Sequence, residues 1–169
     1  MARNIHINGA KELAQALALL PANIERNIMR GALRAGAKVI EADAKANVPV
    51  QDGDLKQSLR VSTNRKKGEV SASVKAGNKK AWYYHFVEFG TQPHDITATK
   101  AKYLRFIAKD GTSVKTKQVH HMGAIEKPFM RPALDKKNAE AIIKAGDYIR
   151  SRLEKEGMPV PAQLSVSEE

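Results

Sequence analysis

Residues 22–48, Ala-Asn-Ile-Glu-Arg-Asn-Ile-Met-Arg-Gly-Ala-Leu-Arg-Ala-Gly-Ala-Lys-Val-Ile-Glu-Ala-Asp-Ala-Lys-Ala-Asn-Val, decide the fold. Ile24, Ile28, Ala32, Ala35, Val39, Ala42 and Ala46 recur at steps of three and four, and Leu33, Ala37, Ile40 and Ala44 widen the stripe. That period belongs to an amphipathic helix, not to a strand. At 1.5 Å per residue such a helix spans ~40 Å. Gly31, Ala35, Gly36 and Ala42 leave room for close packing against a sheet or a neighbour. Pro21 separates it from a shorter helical pattern over residues 9–20, where Leu13, Leu17 and Leu20 share a face. Pro49 ends it.

Outward from this helix, Val50-Gln51-Asp52-Gly53 reads as a turn. Asp54 has the position of an N-cap, with Gln57 at capping-box spacing, before a short helical stretch carrying Leu55, Ser58 and Leu59. Leu59, Val61 and Thr63 then alternate with polar residues. Beyond Lys66-Lys67-Gly68, so do Val70, Ala72 and Val74, which predicts a hairpin with one apolar face. The aromatic run 82–89 fits two periods. Tyr83, Phe86 and Val87 suit a helix, and Tyr84 and Phe86 suit a strand. A second hairpin is expected over 103–119, where Leu104, Phe106 and Ala108 lead into Lys109-Asp110-Gly111, with the Asp-Gly pair as a two-residue turn signal. Its flanks are polar and read as loops, so residues 94–127 stand out as an insertion. Pro132 suits the first turn of a last helix, marked by Ala133, Leu134, Ala141, Ile142, Ala145, Ile149 and Leu153 and ending near Glu156. Pro159, Pro161 and several Ser and Glu residues make 157–169 a mobile tail by composition. The expected fold is α+β: one domain over 1–156, an antiparallel sheet with the long N-terminal helix and the C-terminal helix packed on one face, plus the β-hairpin insertion.

The chain of 169 residues is long enough for one real core. It has no cysteine, so neither disulfides nor a thiolate zinc site can form. No apolar run approaches the ~20 residues of a bilayer span, and the first residues lack the apolar stretch of a secretory signal. Synthesis in a bacterial cytoplasm, with no membrane partner, is the expectation. The formal charge of +11, from 29 basic against 18 acidic residues, favours polyanions or acidic protein surfaces as partners. The basic residues cluster. Arg65, Lys66 and Lys67 crown the first hairpin, and Lys79 and Lys80 precede the aromatic run. Lys100, Lys102, Arg105, Lys109, Lys115 and Lys117 make the insertion strongly positive. Such clusters either grip phosphates or an acidic partner, or keep strand edges soluble.

Catalytic chemistry finds little support. His120 and His121 are neighbours, so on a strand their side chains point apart, and His94-Asp95 would join them as ligands only if the insertion folded back. Asp52 and Asp54 are explained as turn and cap residues. Glu88, inside the aromatic run, needs a partner if buried, and a structural ion pair accounts for it better than acid–base work. No phosphate loop, nucleophile elbow or zinc-protease helix is present. No catalytic residue, cofactor or metal is therefore assigned, and a metal-dependent nuclease has no divalent-ion site to work with.

Three stretches, in order, carry a resemblance. Val48-Pro49-Val50-Gln51-Asp52-Gly53-Asp54-Leu55-Lys56-Gln57-Ser58-Leu59 is similar to a Pro-x-x-x-Gly-x-Leu-x-x-Ser motif. Tyr84-His85-Phe86-Val87-Glu88-Phe89-Gly90-Thr91 is similar to Tyr-x-x-Phe-Val-Glu-Phe-Gly-Thr, and Pro128-Phe129-Met130-Arg131-Pro132-Ala133-Leu134 to Pro-Phe-x-x-Pro-Ala. Together, over about residues 13–153, they resemble the head–tail joining, or tail-completion, family of long-tailed bacteriophages and prophages. The resemblance implies a non-enzymatic virion subunit that forms a ring at the neck, with adjoining neck or tail proteins and packaged DNA as partners. Pro49, Gly53, Leu55, Ser58, Tyr84, Phe86, Glu88, Phe89, Gly90, Thr91, Pro128, Phe129 and Pro132 would then be fold and interface determinants. Phe86, Phe89 and Phe129 would anchor helices to the sheet. The alternative is an independent DNA-binding or regulatory protein, which would bind free duplex in a strongly salt-dependent way.

Overall fold

The computed structural model describes residues 5–66, 69–99, 101–108 and 110–168. In chain order the elements are β1 (Ile5–Asn8), α1 (Ala10–Ala18), α2 (Ala22–Asn47), α3 (Asp54–Ser58), β2 (Arg60–Lys66) and β3 (Glu69–Lys75). They continue as α4 (Tyr84–Phe89), β4 (His94–Thr97), β5 (Leu104–Ile107), β6 (Ser113–Thr116), β7 (Gln118–His121), α5 (Met130–Lys155) and β8 (Ser165–Glu168). The α+β class is as expected. The sheet is not one surface, however: among the described residues the strands form four separate antiparallel pairs, β1–β8, β2–β3, β4–β7 and β5–β6. The chain divides into two compact units, Met1–Trp82 with Phe129–Glu169, and Tyr83–Pro128. The second unit begins before the expected insertion and takes the aromatic run from Tyr83 onward with it.

In the first unit, α2 is the organising element, packed against α5 on one side and against β2 and β3 on another. The small residues of α2 make the helix contact possible. A side chain built on Gly36 would put its Cβ 2.6 Å from the Ala141 carbonyl oxygen, and one on Gly31 would run into the Tyr148 ring. Leu13 and Leu17 of α1, Ile28 and Ala32 of α2, Ile149 and Leu153 of α5, and Leu164 close one aliphatic cluster. Burial of each leucine or isoleucine side chain among them stabilises by roughly 1.5–3 kcal/mol. The expected hairpin forms as β2–β3, with Val61 opposite Val74 and Thr63 opposite Ala72. Val70, Ala72 and Val74 are half-buried while Ser71 and Ser73 between them are exposed.

Two local expectations differ. Asp54 is not the N-cap of α3. Gly53, at φ +79°, occupies that place, and its carbonyl accepts the Gln57 N–H at 3.0 Å. Gly53 tolerates the left-handed conformation that turns the chain into the helix, leaving Asp54 in the first turn, where its charge suits the helix dipole. The segment read as a mobile tail is anchored. Arg150 Nε donates to the Pro161 carbonyl at 2.9 Å, Leu164 is buried against Gly146, and β8 pairs with β1 in register from Asn8–Ser165 onward. Composition registers the Pro, Ser and Glu residues but not the single leucine that reaches the core.

The second unit is a ribbon. β4 pairs with β7, and further along β5 pairs with β6, so the two ladders are nested in one long hairpin. The flanks read as loops are thus partly strands. Ala108 N–H donates to Thr112 O at 2.9 Å, so the strands close at Ala108 and Thr112 and not directly around Asp110-Gly111. Gly111, just before Thr112, is left-handed at φ +82°. The aromatic run, undecided by period, is the short helix α4.

Candidate functional site

The first motif builds a clasp. Ser58 is buried; its hydroxyl donates to the Leu55 carbonyl at 2.7 Å and accepts the Gly77 N–H at 2.9 Å. Arg60 donates to the Ser58 and Gly77 carbonyls at 3.0 and 2.7 Å. The end of α3 is thereby tied to the loop that follows β3, with Leu55 and Leu59 buried beside it. Pro49 is half-buried just beyond α2.

The second motif builds the root of the ribbon. Gly90 ends α4 at φ +68°, ψ −173°, a conformation that L side chains avoid. A Cβ there would also stand 2.6 Å from the Ala124 carbonyl oxygen. Thr91 and Ala124 exchange backbone hydrogen bonds of 2.9 and 3.1 Å, and Thr91 Oγ1 also accepts the Ala124 N–H at 2.9 Å. Lys127 N–H closes the root on the Val87 carbonyl at 2.8 Å. Beside this root lies an open, mainly apolar groove of about 690 Å³, lined by Phe86, Phe89, Pro93, His94, Ile96 and His121 among others. Phe86 and Phe89 are 39% and 61% exposed, so they shape the groove and are not the deep anchors expected of them; Phe129 is fully buried. Tyr84 is partly exposed, whereas Glu88 is buried, as is Ser58. Pro128 and Pro132 are exposed on either side of Phe129, Pro132 in the first turn of α5.

The ribbon concentrates charge. Arg105 stands directly opposite Lys115 in the β5–β6 ladder, and Lys115 Nζ lies 4.4 Å and Lys102 Nζ 5.8 Å from the centre of the Tyr103 ring. Like charges directly opposite are destabilising, and the cation–π contact only partly offsets them. Lys102, Arg105, Lys115 and Lys117 are all exposed. Arg65 and Lys66 are exposed at the end of β2, as are Lys79 and Lys80 in the following loop. Lys67, Lys100 and Lys109 lie outside the described residues.

The insertion does fold back, as the histidine pairing required. His94 faces His121 with ring centres 5.2 Å apart, while Asp95 Oδ1 meets His120 Nδ1 at 2.7 Å. Alternation puts these two pairs on opposite faces of the ladder, and among the described residues no three such groups converge as metal ligands. One basic feature was overlooked in the sequence: the exposed positions of α2 between residues 23 and 38 are Asn23, Asn27, Arg30, Arg34 and Lys38. The signal was present as steps of four, but exposure had to be known to isolate it.

Fold and site define a small α+β protein whose second unit is a two-stranded cationic ribbon beside an apolar groove. Residues 11–90 match the family described as "Bacteriophage HK97-gp10, putative tail-component". No curated protein and no solved structure matches the chain. The family match contains the first motif and runs through Gly90 of the second, so the resemblance to a phage head–tail family is upheld over that span. It supports a structural role in a phage particle among other tail or virion proteins. Among the described residues no helix is long and apolar enough to cross a membrane.

Proposed function

We propose that this chain is a non-enzymatic assembly protein that forms a closed ring at the head–tail interface of a tailed phage, completing the neck or tail. The likeness of residues 11–90 to phage tail components sets the class. The observation that carries the finer reading is the ribbon, whose opposed cations Arg105 and Lys115 and exposed Phe106 and Ile107 are arranged for a partner. A ring of identical subunits uses a heterologous interface that closes by rotation, and the exposed ribbon can form one side of it. The charge of the ribbon suits an acidic rim or packaged DNA.

Deletion of the gene from a phage or prophage tests this by electron microscopy. Filled heads and finished tails lying apart, rejoined on adding the protein back, are expected. Intact infectious particles would overturn the proposal and favour an independent DNA-binding or regulatory protein. Charge reversal at Lys100, Lys102 and Lys115 should weaken joining while the isolated subunit stays folded.

A further inference from the structure

We infer that the outer face of α2 is a contact surface for the phosphate backbone of duplex DNA. Between residues 23 and 38 the exposed side chains are Asn23, Asn27, Arg30, Arg34 and Lys38, in steps of four, three, four and four. They form one stripe along the helix, with the cations about 6 Å apart along its axis. No carboxylate is exposed in that span; Glu25, its sole acid, is half-buried. Among the described residues none of the three cations takes part in an ion pair, whereas Lys45 further along the same helix is paired with Glu41 at 2.6 Å. Like charges four apart on a helix repel, so the isolated chain holds the stripe at a cost that an anion would relieve.

The composition of the stripe favours a nucleic acid over a protein partner. Cores of protein interfaces combine arginine with aromatic residues and Met, and this stripe has arginine and lysine but no aromatic residue and no Met. Arg, Lys and Asn are the side chains that contact phosphate oxygens, and arginine does so in a two-pronged geometry. The phosphates of one strand follow one another at a spacing of the same order as the ~6 Å between the cations, so the stripe can lie along a short run of backbone.

The inference rests on the proposed function only for the source of the duplex; binding is measured on the isolated full chain. A fluorescent mixed-sequence 30-base-pair duplex is titrated across 50–200 mM salt. Neutralising three phosphate contacts contributes about 0.9 each to the slope of log affinity against log salt, so R30Q/R34Q/K38Q should flatten that slope by about 2.7. Over this fourfold salt range the variant should lose about 40-fold less affinity than the wild type. R30K/R34K, which keeps the charges, should keep the wild-type slope, and circular dichroism checks that both variants stay helical. An unchanged slope in the glutamine variant, or no duplex binding by the wild type, would overturn the inference. So would equal competition by poly-glutamate at matched charge, which would assign the stripe to an acidic protein. Head–tail joining by the same variant is scored separately, so failure of the neck reading is distinguishable from failure of this one.

Discussion

In the helical unit Ile28, Ala32, Phe129, Ala133 and Leu153 are at most 1% exposed, whereas on the ribbon Phe106 and Ile107 remain 41% and 77% exposed. The first unit therefore draws its stability from apolar burial within its own chain. The second relies on ladder hydrogen bonds, each worth only about 0.5–1.5 kcal/mol net, and two-stranded ribbons are marginal alone. The contrast separates a part of the molecule whose apolar side chains are buried from a part that leaves large ones exposed.

The largest expected effect that would break this contrast lies in the core. Phe129→Ala should cost about 3–5 kcal/mol in denaturant unfolding, because a fully buried ring leaves a cavity that the helices cannot fill. A cost below 1 kcal/mol would mean the core is looser than its burial indicates. Next comes Ser58→Ala, which leaves the Gly77 N–H without its acceptor and should cost about 1–3 kcal/mol by the same measurement.

The ribbon should respond locally. Gly90→Ala forces a side chain into a strained conformation against the Ala124 carbonyl, at about 1–3 kcal/mol. Amide exchange should quicken across Thr91 and Ala124 and stay unchanged in α2; equal quickening in α2 would erase the distinction between the regions. Ile107→Ser should change global stability by no more than about 0.5 kcal/mol, yet weaken whatever assembly uses the ribbon. A larger loss in the isolated chain would show that Ile107 is a core residue after all.

The smallest effect is at the tip. The Thr112 hydroxyl and N–H both donate to the exposed Asp110 carboxylate and hold its pKa below the ordinary 3.8. A depressed pKa means that the contribution is present above the ordinary value and fades as pH falls through the folded one. The Thr112 amide resonance should therefore titrate with a midpoint below 3.8 and lose that titration in Asp110→Asn. A midpoint at or above the ordinary value would mean that the turn is open in solution.

The sequence by itself determined the two long helices, the first hairpin and the class. These depend on local period: α2 repeats its apolar stripe for seven turns, Pro21 and Pro49 bound it, and Val70, Ala72 and Val74 alternate cleanly. The motif around Gly53, Leu55 and Ser58 was legible, but its clasp onto Gly77 was not, because the partner lies on a loop across the hairpin. Tertiary structure alone decided that the aromatic run is a helix, that β4 meets β7, and that β8 returns to β1. Four-residue strands are too short for their alternation to stand out, and a pairing between residues 5–8 and 165–168 leaves no local trace. The same holds for the stripe on α2. Its arginines are plain in the sequence, but only packing against α5 and the hairpin determines which of them are left facing water.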